Sequence, residues 1–449
     1  PSEPLFRSRS LPITAGAAPT MTWRLGDIIH STPMTVATPA EGYHLIYNDY
    51  TYATFLCRHK GRRHVVYFGA NDGMLHGFDA NNGTELMAYV PSSLYSSAAS
   101  EGLHYLSDPG YQHRYYVDNT PSRTDAYIKG RSATGAATSR AWRSIIVGTL
   151  RGGGKGVFAL DVTNPGSFAD TAGSAAQTAL WEFTSNDDAD LGFTYSRPTI
   201  VPTNATDGSD IRWAAIFGNG YNNGGDCRAK LFVVFLDGGL DGTWTEGTDY
   251  LKMDTNTGTT ADCNGLSTPA VVDLNADGKA DAVYAGDLHG NMWNFDLCNK
   301  DNAGLCRGTG WGVAYDTGGG GATAAPLFTA RDAGGSRQPI TAQPIVISHP
   351  TILSGGLAPN VLVLFGTGQY LVDGDKADTA PPSHSYYGVW DRGDAGLDRS
   401  RLMQQIFETG FGAGADFRIT GLDEPDYTNS NANNREYGWY LDLPDTSEA

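Results

Sequence analysis

Apolar and polar positions along this chain fall into short runs that return in a fixed order. A polar residue and a proline open each unit, and an apolar run closing on glycine follows. A turn comes next, then a strand that often ends in an aromatic residue and aspartate. The first copy is Ser31-Thr32-Pro33-Met34-Thr35-Val36, with Val65-Val66-Tyr67-Phe68-Gly69 and Met74 to Phe78-Asp79. The second runs from Asn119-Thr120-Pro121 through Ile145-Ile146-Val147-Gly148 to Gly156-Val157-Phe158-Ala159-Leu160-Asp161. The third joins Ser196-Arg197-Pro198 to Ala215-Ile216-Phe217-Gly218 and Leu231–Asp237, and the fourth joins Ser267-Thr268-Pro269 to Val283-Tyr284-Ala285-Gly286 and Met292–Asp296. The fifth joins Ala342-Gln343-Pro344 to Val361–Gly366 and Tyr386–Asp391. Short β-branched and aromatic runs bounded by turn residues predict strands.

The five prolines are 88, 77, 71 and 75 residues apart. A recurring unit of about four strands predicts a β-propeller, in which each sheet buries its apolar face against the next. Proline is tolerated at a strand entry because no ladder hydrogen bond is asked of it there. The prediction is one all-β propeller domain over residues 1–449, with five copies visible and about seven blades in all. The period exceeds a minimal blade, so insertions are expected at 37–62, 92–116, 165–190, 238–262, 299–324 and 373–384. The run Arg435 to Leu443 alternates and reads as a closing strand that completes the first blade.

Composition sharpens the picture. Gly is 57 of 449 residues and aromatics make up 11%, which suits turn-rich β structure. The formal net charge is −18 without any Lys/Arg-rich stripe, which argues against nucleic acid or an anionic membrane as partner. No apolar run reaches membrane-spanning length. The chain opens on Pro1 without initiator Met or signal peptide and reads as an excised part of a larger protein. Five cysteines show no C-x-x-C spacing. Cys298 and Cys306 bracket a Gly/Asn loop as a local disulfide, Cys227 and Cys263 close a second, and Cys57 is left as a buried thiol. Five reduced core cysteines are the alternative; the disulfide reading implies an oxidising compartment.

One stretch carries chemistry: Asp273-Leu274-Asn275-Ala276-Asp277-Gly278-Lys279-Ala280-Asp281. Side-chain oxygens stand at positions 1, 3, 5 and 9 and a glycine at 6, the first nine positions of a calcium loop. A hard divalent cation takes six to eight oxygens, and a tightly wound loop offers every second residue inward. Lys279, at position 7, offers its carbonyl while its side chain points to water. Position 12 is Tyr284 rather than a clamping Glu, and both flanks read as strands. This is therefore a strand–loop–strand site, with an expected affinity of roughly 10⁻⁶ to 10⁻³ M. A metal-free turn is the bland alternative, since Asp and Asn favour turns by themselves. Three crowded carboxylates that nothing neutralises would, however, repel.

Other candidates are weaker. Asp187, Asp188 and Asp190, and Asp373, Asp375 and Asp378, lack the 1-3-5-9 spacing and read as solvated loops. Arg392-Gly393-Asp394 spells an integrin-recognised tripeptide, a three-residue match of the kind chance supplies. His30, His76 and His289 lack ligand spacing and read as packing or hydrogen-bonding residues. Trp142, Trp181, Trp293 and Trp439 read as inter-blade core.

The chain resembles the C-terminal domain of the PilY (PilC-like) family of type IV pilus tip-associated adhesins and biogenesis factors. The residues that carry the likeness are Gly26-Asp27-Ile28-Ile29-His30-Ser31-Thr32-Pro33, the run Tyr67 to Phe78, Tyr195-Ser196-Arg197-Pro198, the Asp273–Asp281 loop, and Gly438-Trp439-Tyr440-Leu441-Asp442-Leu443-Pro444. The resemblance implies a modified quinoprotein-like β-propeller. It implies Ca2+ held by Asp273, Asn275, Asp277, Asp281 and the Lys279 carbonyl. Calcium occupancy would then govern pilus extension against retraction, twitching motility and surface attachment. The implied partners are pilins and minor pilins at the pilus tip and a host or abiotic surface. The implied location is the bacterial cell surface or fimbrium, reached by export through periplasm and outer membrane. A non-enzymatic protein is expected. The rival classes are a quinoprotein-type dehydrogenase, for which no adjacent cysteine pair or haem motif is present, and an adhesive scaffold with purely structural calcium.

Overall fold

The computed structural model describes residues 25–317, 323–352, 359–371, 375, 383–407, 420, 423–428 and 436–443, together with the backbone of 10–11 and 21–22. Each first strand begins one residue after a repeat proline: Met34–Val36, Ser122–Ile128, Thr199–Asp207, Ala270–Val272 and Ile345–Ser348. The proline ends the approach and the next residue is the first to pair, as its missing N–H dictates.

Five four- or five-stranded sheets result, one per copy. The first pairs Met34–Val36, Val65–Ala70, Met74–Asp79 and Glu85–Tyr89 in chain order. The second and third run likewise from Ser122–Ile128 to Ala179–Thr184 and from Thr199–Asp207 to Tyr250–Asp254. The fourth pairs Ala270–Val272, Ala282–Gly286, Asn291–Asp296 and Gly312–Val313, with Phe328–Thr329 also on Asn291–Asp296. Beyond these sheets, the described residues add only the two-residue pair Ser10–Leu11 with Met21–Thr22.

The glycines that close the second strands of the first, second, fourth and fifth sheets serve close approach rather than a special dihedral. A Cβ on Gly69 would lie 2.1 Å from the Val117 carbonyl oxygen, and one on Gly286 2.2 Å from Ile340 Cγ2. The Gly69 and Gly218 amides donate to the hydroxyls of Ser31 (2.8 Å) and Ser196 (2.9 Å), which stand two residues before their prolines. In the first and third copies the polar opening is thus a hydrogen-bond acceptor for the glycine.

The closing strand joins a different sheet from the one expected. Gly438–Asp442 pairs antiparallel with Ser385–Asp391 and parallel with Met403–Gln405, so it completes the fifth sheet, not the first. Gly388 leaves room there for Trp439: a Cβ on it would meet the ring at 2.6 Å. Trp439 is accordingly only half-buried, whereas Trp142, Trp181 and Trp293 are buried as expected.

The insertions also differ in content. Residues 37–62 fold into helices Tyr43–Ile46 and Tyr50–His59. Residues 165–190 and 238–262 contain the fourth strands of the second and third sheets, Ala179–Thr184 and Tyr250–Asp254. Most of 373–384, with Asp373 and Asp378, lies outside the described residues. Both disulfides form as read, Cys227–Cys263 and Cys298–Cys306. Cys57 is exposed rather than buried. The Tyr50–His59 helix turns Tyr52 and Phe55 inward, which leaves Cys57 on its outer face.

The chain divides into two compact units, Pro1–Gly225 with Phe232–Lys252 and Ala276–Lys279, and Asp226–Leu231 with Met253–Asn275 and Ala280–Ala449. The first holds two apolar cores, one around Trp142, Trp213, Phe217 and Phe232 and one around Tyr67, Leu75, Phe158 and Leu160. The second holds one, around Tyr284, Phe328, Val363 and Tyr387.

Candidate metal centre

The loop Asp273–Asp281 connects the first two strands of the fourth sheet, where Val272 faces Ala282 across the ladder. Its base is closed by Asp281, which is 2% exposed. The Asp281 amide donates to the Val272 carbonyl at 2.9 Å, and its Oδ2 accepts from the Leu274 amide at 2.9 Å. The carboxylate at position 9 therefore stitches the two ends of the loop together. Asp273 Oδ1 accepts from the Asn275 amide at 3.2 Å. Both Asp273 and Asn275 are exposed.

The chain turns through the left-handed region twice, at Ala276 (φ 60°) and Gly278 (φ 84°). For alanine this costs about 1–2 kcal/mol, so surrounding contacts must impose it. Gly278 is doubly constrained. Besides its φ, a Cβ there would lie 2.6 Å from Tyr47 Oη and 2.8 Å from Ile46 Cγ2. The Tyr47 hydroxyl donates to the Gly278 carbonyl at 2.8 Å. The tip of the loop is thus seated on the segment that follows helix Tyr43–Ile46.

Lys279 does not point to water as expected. Its Nζ pairs with Asp277 Oδ2 at 2.6 Å, while Asp277 Oδ1 accepts from the Lys279 amide at 3.0 Å. A carboxylate at this crowded turn takes the cation two residues away. In this arrangement Asp273, Asp277 and Asp281 are not gathered within 4.8 Å of one another. The acid–sulfur group that does meet that limit among the described residues is Asp281 with Cys298 and Cys306. Those sulfurs are bonded to each other, so neither is a thiolate ligand. The disulfide instead abuts the loop, with Cys306 Sγ 3.3 Å from Asp281 Oδ1. The donors on offer are all oxygens, from Asp273, Asn275, Asp277, the Lys279 carbonyl and Asp281. That set fits a hard cation such as calcium rather than a soft one.

The second acidic cluster is not a solvated loop. Asp188 and Asp190 are each 9% exposed. They hold Lys252 Nζ at 2.9 Å and 2.7 Å, and Asp188 also accepts from the Tyr250 hydroxyl at 2.9 Å. Burial works to strip the Lys252 proton, but the two carboxylates outweigh it and raise its pKa. The cation for this cluster comes from the chain itself. In the third, Asp375 accepts from the Leu371 amide at 2.7 Å.

His76 and His30 hydrogen-bond to carboxylates, and His289 only approaches one. His76 sits between Glu85 (2.6 Å) and Asp72 (3.0 Å), His30 on Asp118 (2.6 Å), and His289 near Asp262 (3.3 Å). Arg392 of the Arg-Gly-Asp run folds back on its own Asp394 at 3.5 Å and lies 4.9 Å over the Trp390 ring. Its guanidinium is engaged within the fold.

Sequence reading missed the contribution of Tyr47 and the helices beside it. A signal was present: Asp49 caps the second helix by accepting from the Thr51 amide at 2.7 Å, and Tyr52, Phe55 and Leu56 follow at helical spacing.

Five four- or five-stranded sheets of one repeated plan, antiparallel but for one pair in the fifth, with an acidic strand-to-strand loop in the fourth, define an all-β protein of the propeller class. The chain belongs to the PilY1 β-propeller family: residues 25–407 match the family described as "PilY1 beta-propeller domain". It is 36% identical over 445 residues to the type IV pilus biogenesis factor PilY1 of Pseudomonas aeruginosa strain PAO1, covering 93% of this chain and 34% of that protein. It is also 36% identical over 431 residues to a PilY1 homolog of Xylella fastidiosa, covering 93% of this chain and 26% of that one. The chain thus spans about a third or less of the length of these curated relatives. The crystal structure of the Pseudomonas aeruginosa PilY1 C-terminal domain superposes with a TM-score of 0.68 at 32% identity, over 91% of this chain and 77% of that one. Among the described residues no helix is long and apolar enough to cross a membrane.

Proposed function

We propose that this chain is a non-enzymatic, calcium-responsive propeller domain that works in type IV pilus biogenesis at the bacterial cell surface. Its membership of the PilY1 family supports the pilus role. The observation that carries the calcium reading is the Asp273–Asp281 loop, tied at its base by Asp281 and pinned at its tip by Tyr47. Between these ties Asp273, Asn275, Asp277 and the Lys279 carbonyl are the ligands, and Asp281 completes the set. When bound, a calcium ion supplies the positive charge that lets these carboxylates share one centre. The chain's own residues do the rest. Asp281 keeps the strand ends together, Gly278 allows the turn, and Lys279 releases Asp277 to the ion.

Exchange of an internal ammonium for an external cation makes the loop a switch whose two states differ in charge and stiffness. In this reading the loop regulates pilus extension against retraction and, through it, twitching motility and attachment to host or abiotic surfaces. The partners are pilins or minor pilins at the pilus tip. Export through periplasm and outer membrane agrees with two disulfides in one chain.

Calorimetric titration with calcium tests the site. Wild type should give saturable heat with a Kd between roughly 10⁻⁶ and 10⁻³ M. Asp277→Asn should weaken it while keeping the melting temperature of the calcium-free protein. No heat from a folded wild type ends the proposal, and an unchanged isotherm for Asp277→Asn moves the ion elsewhere.

A further inference from the structure

The first compact unit contains a cavity of about 310 Å³ that the calcium reading does not use. Four aromatic rings line it, those of Tyr47, Tyr127, Trp142 and Trp213, together with the carboxylates of Asp49 and Asp210. No lysine, arginine or histidine is among its lining residues. Trp142 and Trp213 are 7% and 2% exposed, and their ring centroids are 5.8 Å apart in an edge-on pair. Tyr127 stands 5.6 Å from Trp142. Trp142 Nε1 donates to Asp49 Oδ2 at 3.0 Å and also points to Thr51 Oγ1 at 2.9 Å, so ring and carboxylate are fixed relative to each other. Arg140 approaches Asp210 at 3.5 Å but is shared with Asp207 and Asp237, which also meet Lys129 at 3.1 Å and Arg212 at 3.6 Å, so Asp210 has only a distant share of one guanidinium.

We propose that this cavity binds an alkylammonium group, of the kind a lysine side chain carries. Aromatic faces attract a cation through their quadrupole, and carboxylates at the rim take its N–H donors. Burial works to raise the Asp49 pKa, but the bonds from Thr51 and Trp142 outweigh it, and the carboxyl is held below its usual range and stays charged. An anion would meet two carboxylates. The volume lies at the small end of ligand sites, which suits a single side chain. Flanking the wall residues Tyr47 and Asp49, Leu45 and Tyr50 are each 78% exposed and Ile46 is 53% exposed. That apolar margin fits a lysine presented on a polypeptide better than a free amine.

Tryptophan fluorescence of the whole chain, titrated in chelator so that calcium plays no part, tests this. N-acetyl-lysine methylamide should give a saturable change with a Kd on the order of 1 mM, and sodium chloride at the same ionic strength should give none. Asp49→Asn and Asp210→Asn should each weaken binding about threefold or more. Asparagine keeps the helix cap and the acceptor for Trp142, so an unchanged melting temperature accompanies the loss. Butylammonium binding as tightly as the lysine derivative assigns the site to free amines, and weaker binding assigns it to polypeptide lysine; either supports the ammonium site. Equal binding of neutral N-acetyl-norleucine methylamide, no saturable change, or unaltered binding in both folded variants overturns it.

Discussion

The hydroxyl of Tyr47 donates to the carbonyl of Gly278, 231 positions away, and the same tyrosine lines the aromatic cavity. One side chain therefore fixes the tip of the proposed calcium loop and walls the cavity proposed to take an ammonium group. Tyr47→Phe keeps the ring and removes the tie, so it should weaken calcium binding about two- to tenfold, the worth of one hydrogen bond, with little effect on the ammonium site. Gly278→Ala should do more, because alanine meets both a positive φ and the Tyr47 oxygen. Calorimetry of the two variants beside wild type checks the order; equal affinity in all three means that the tip does not matter.

Lys252 is the counter-ion of two nearly buried carboxylates. Lys252→Met leaves Asp188 and Asp190 facing each other without it, at a cost of about 3–5 kcal/mol. Thermal denaturation should show a loss of several degrees. Adding Asp188→Asn to that variant should recover part of it, because one of the stranded charges goes. A Lys252→Met protein as stable as wild type would show that water replaces the ammonium at no cost.

How much of this was legible follows from how local each signal is. The five prolines announce their strands because a missing N–H acts at the residue itself, and the oxygen spacing of Asp273 to Asp281, from which a calcium site is proposed, lies within nine consecutive positions. Part of what failed depended on distant partners. Asp188 reads as solvated until Lys252, 64 positions on, is folded against it. The Gly438–Asp442 strand reads as an edge for any sheet until Gly388 makes room for Trp439. Lys279 reads as solvated by analogy with a filled calcium loop, yet Asp277 claims it. Helix Tyr50–His59 hid in an insertion because aromatic residues carry its inward face and suggest strand as readily as helix.

The Cys298–Cys306 disulfide closes a short loop directly against Asp281. By loop-closure entropy its reduction should cost about 2–3 kcal/mol, and the longer Cys227–Cys263 bridge somewhat more. Cys298→Ser with Cys306→Ser should also weaken calcium binding, since Asp281 loses the wall that holds it. Replacing Cys227 and Cys263 should lower the melting temperature with a smaller effect on affinity. Calorimetry and thermal melts of the two double variants separate these effects; equal losses of affinity would show that the nearer bridge has no special hold on the loop.

His76 supplies a pH dependence that owes nothing to calcium. It is 2% exposed between Asp72 and Glu85. Burial works to lower its pKa, but the hydrogen bonds it donates to the two carboxylates outweigh that and raise it above the ordinary 6.5. A histidine more basic folded than unfolded adds stability that is fully present below pH 6.5 and is lost as pH rises through its folded pKa. His76→Gln removes this contribution and leaves Glu85 and Asp72 without their cation. The variant should therefore fall furthest below wild type in melting temperature near pH 5.5, and the gap should narrow toward pH 9. Melts in calcium-free buffer across that range measure it. A gap that stays constant with pH would mean that His76 is neutral in the folded protein and acts by packing alone.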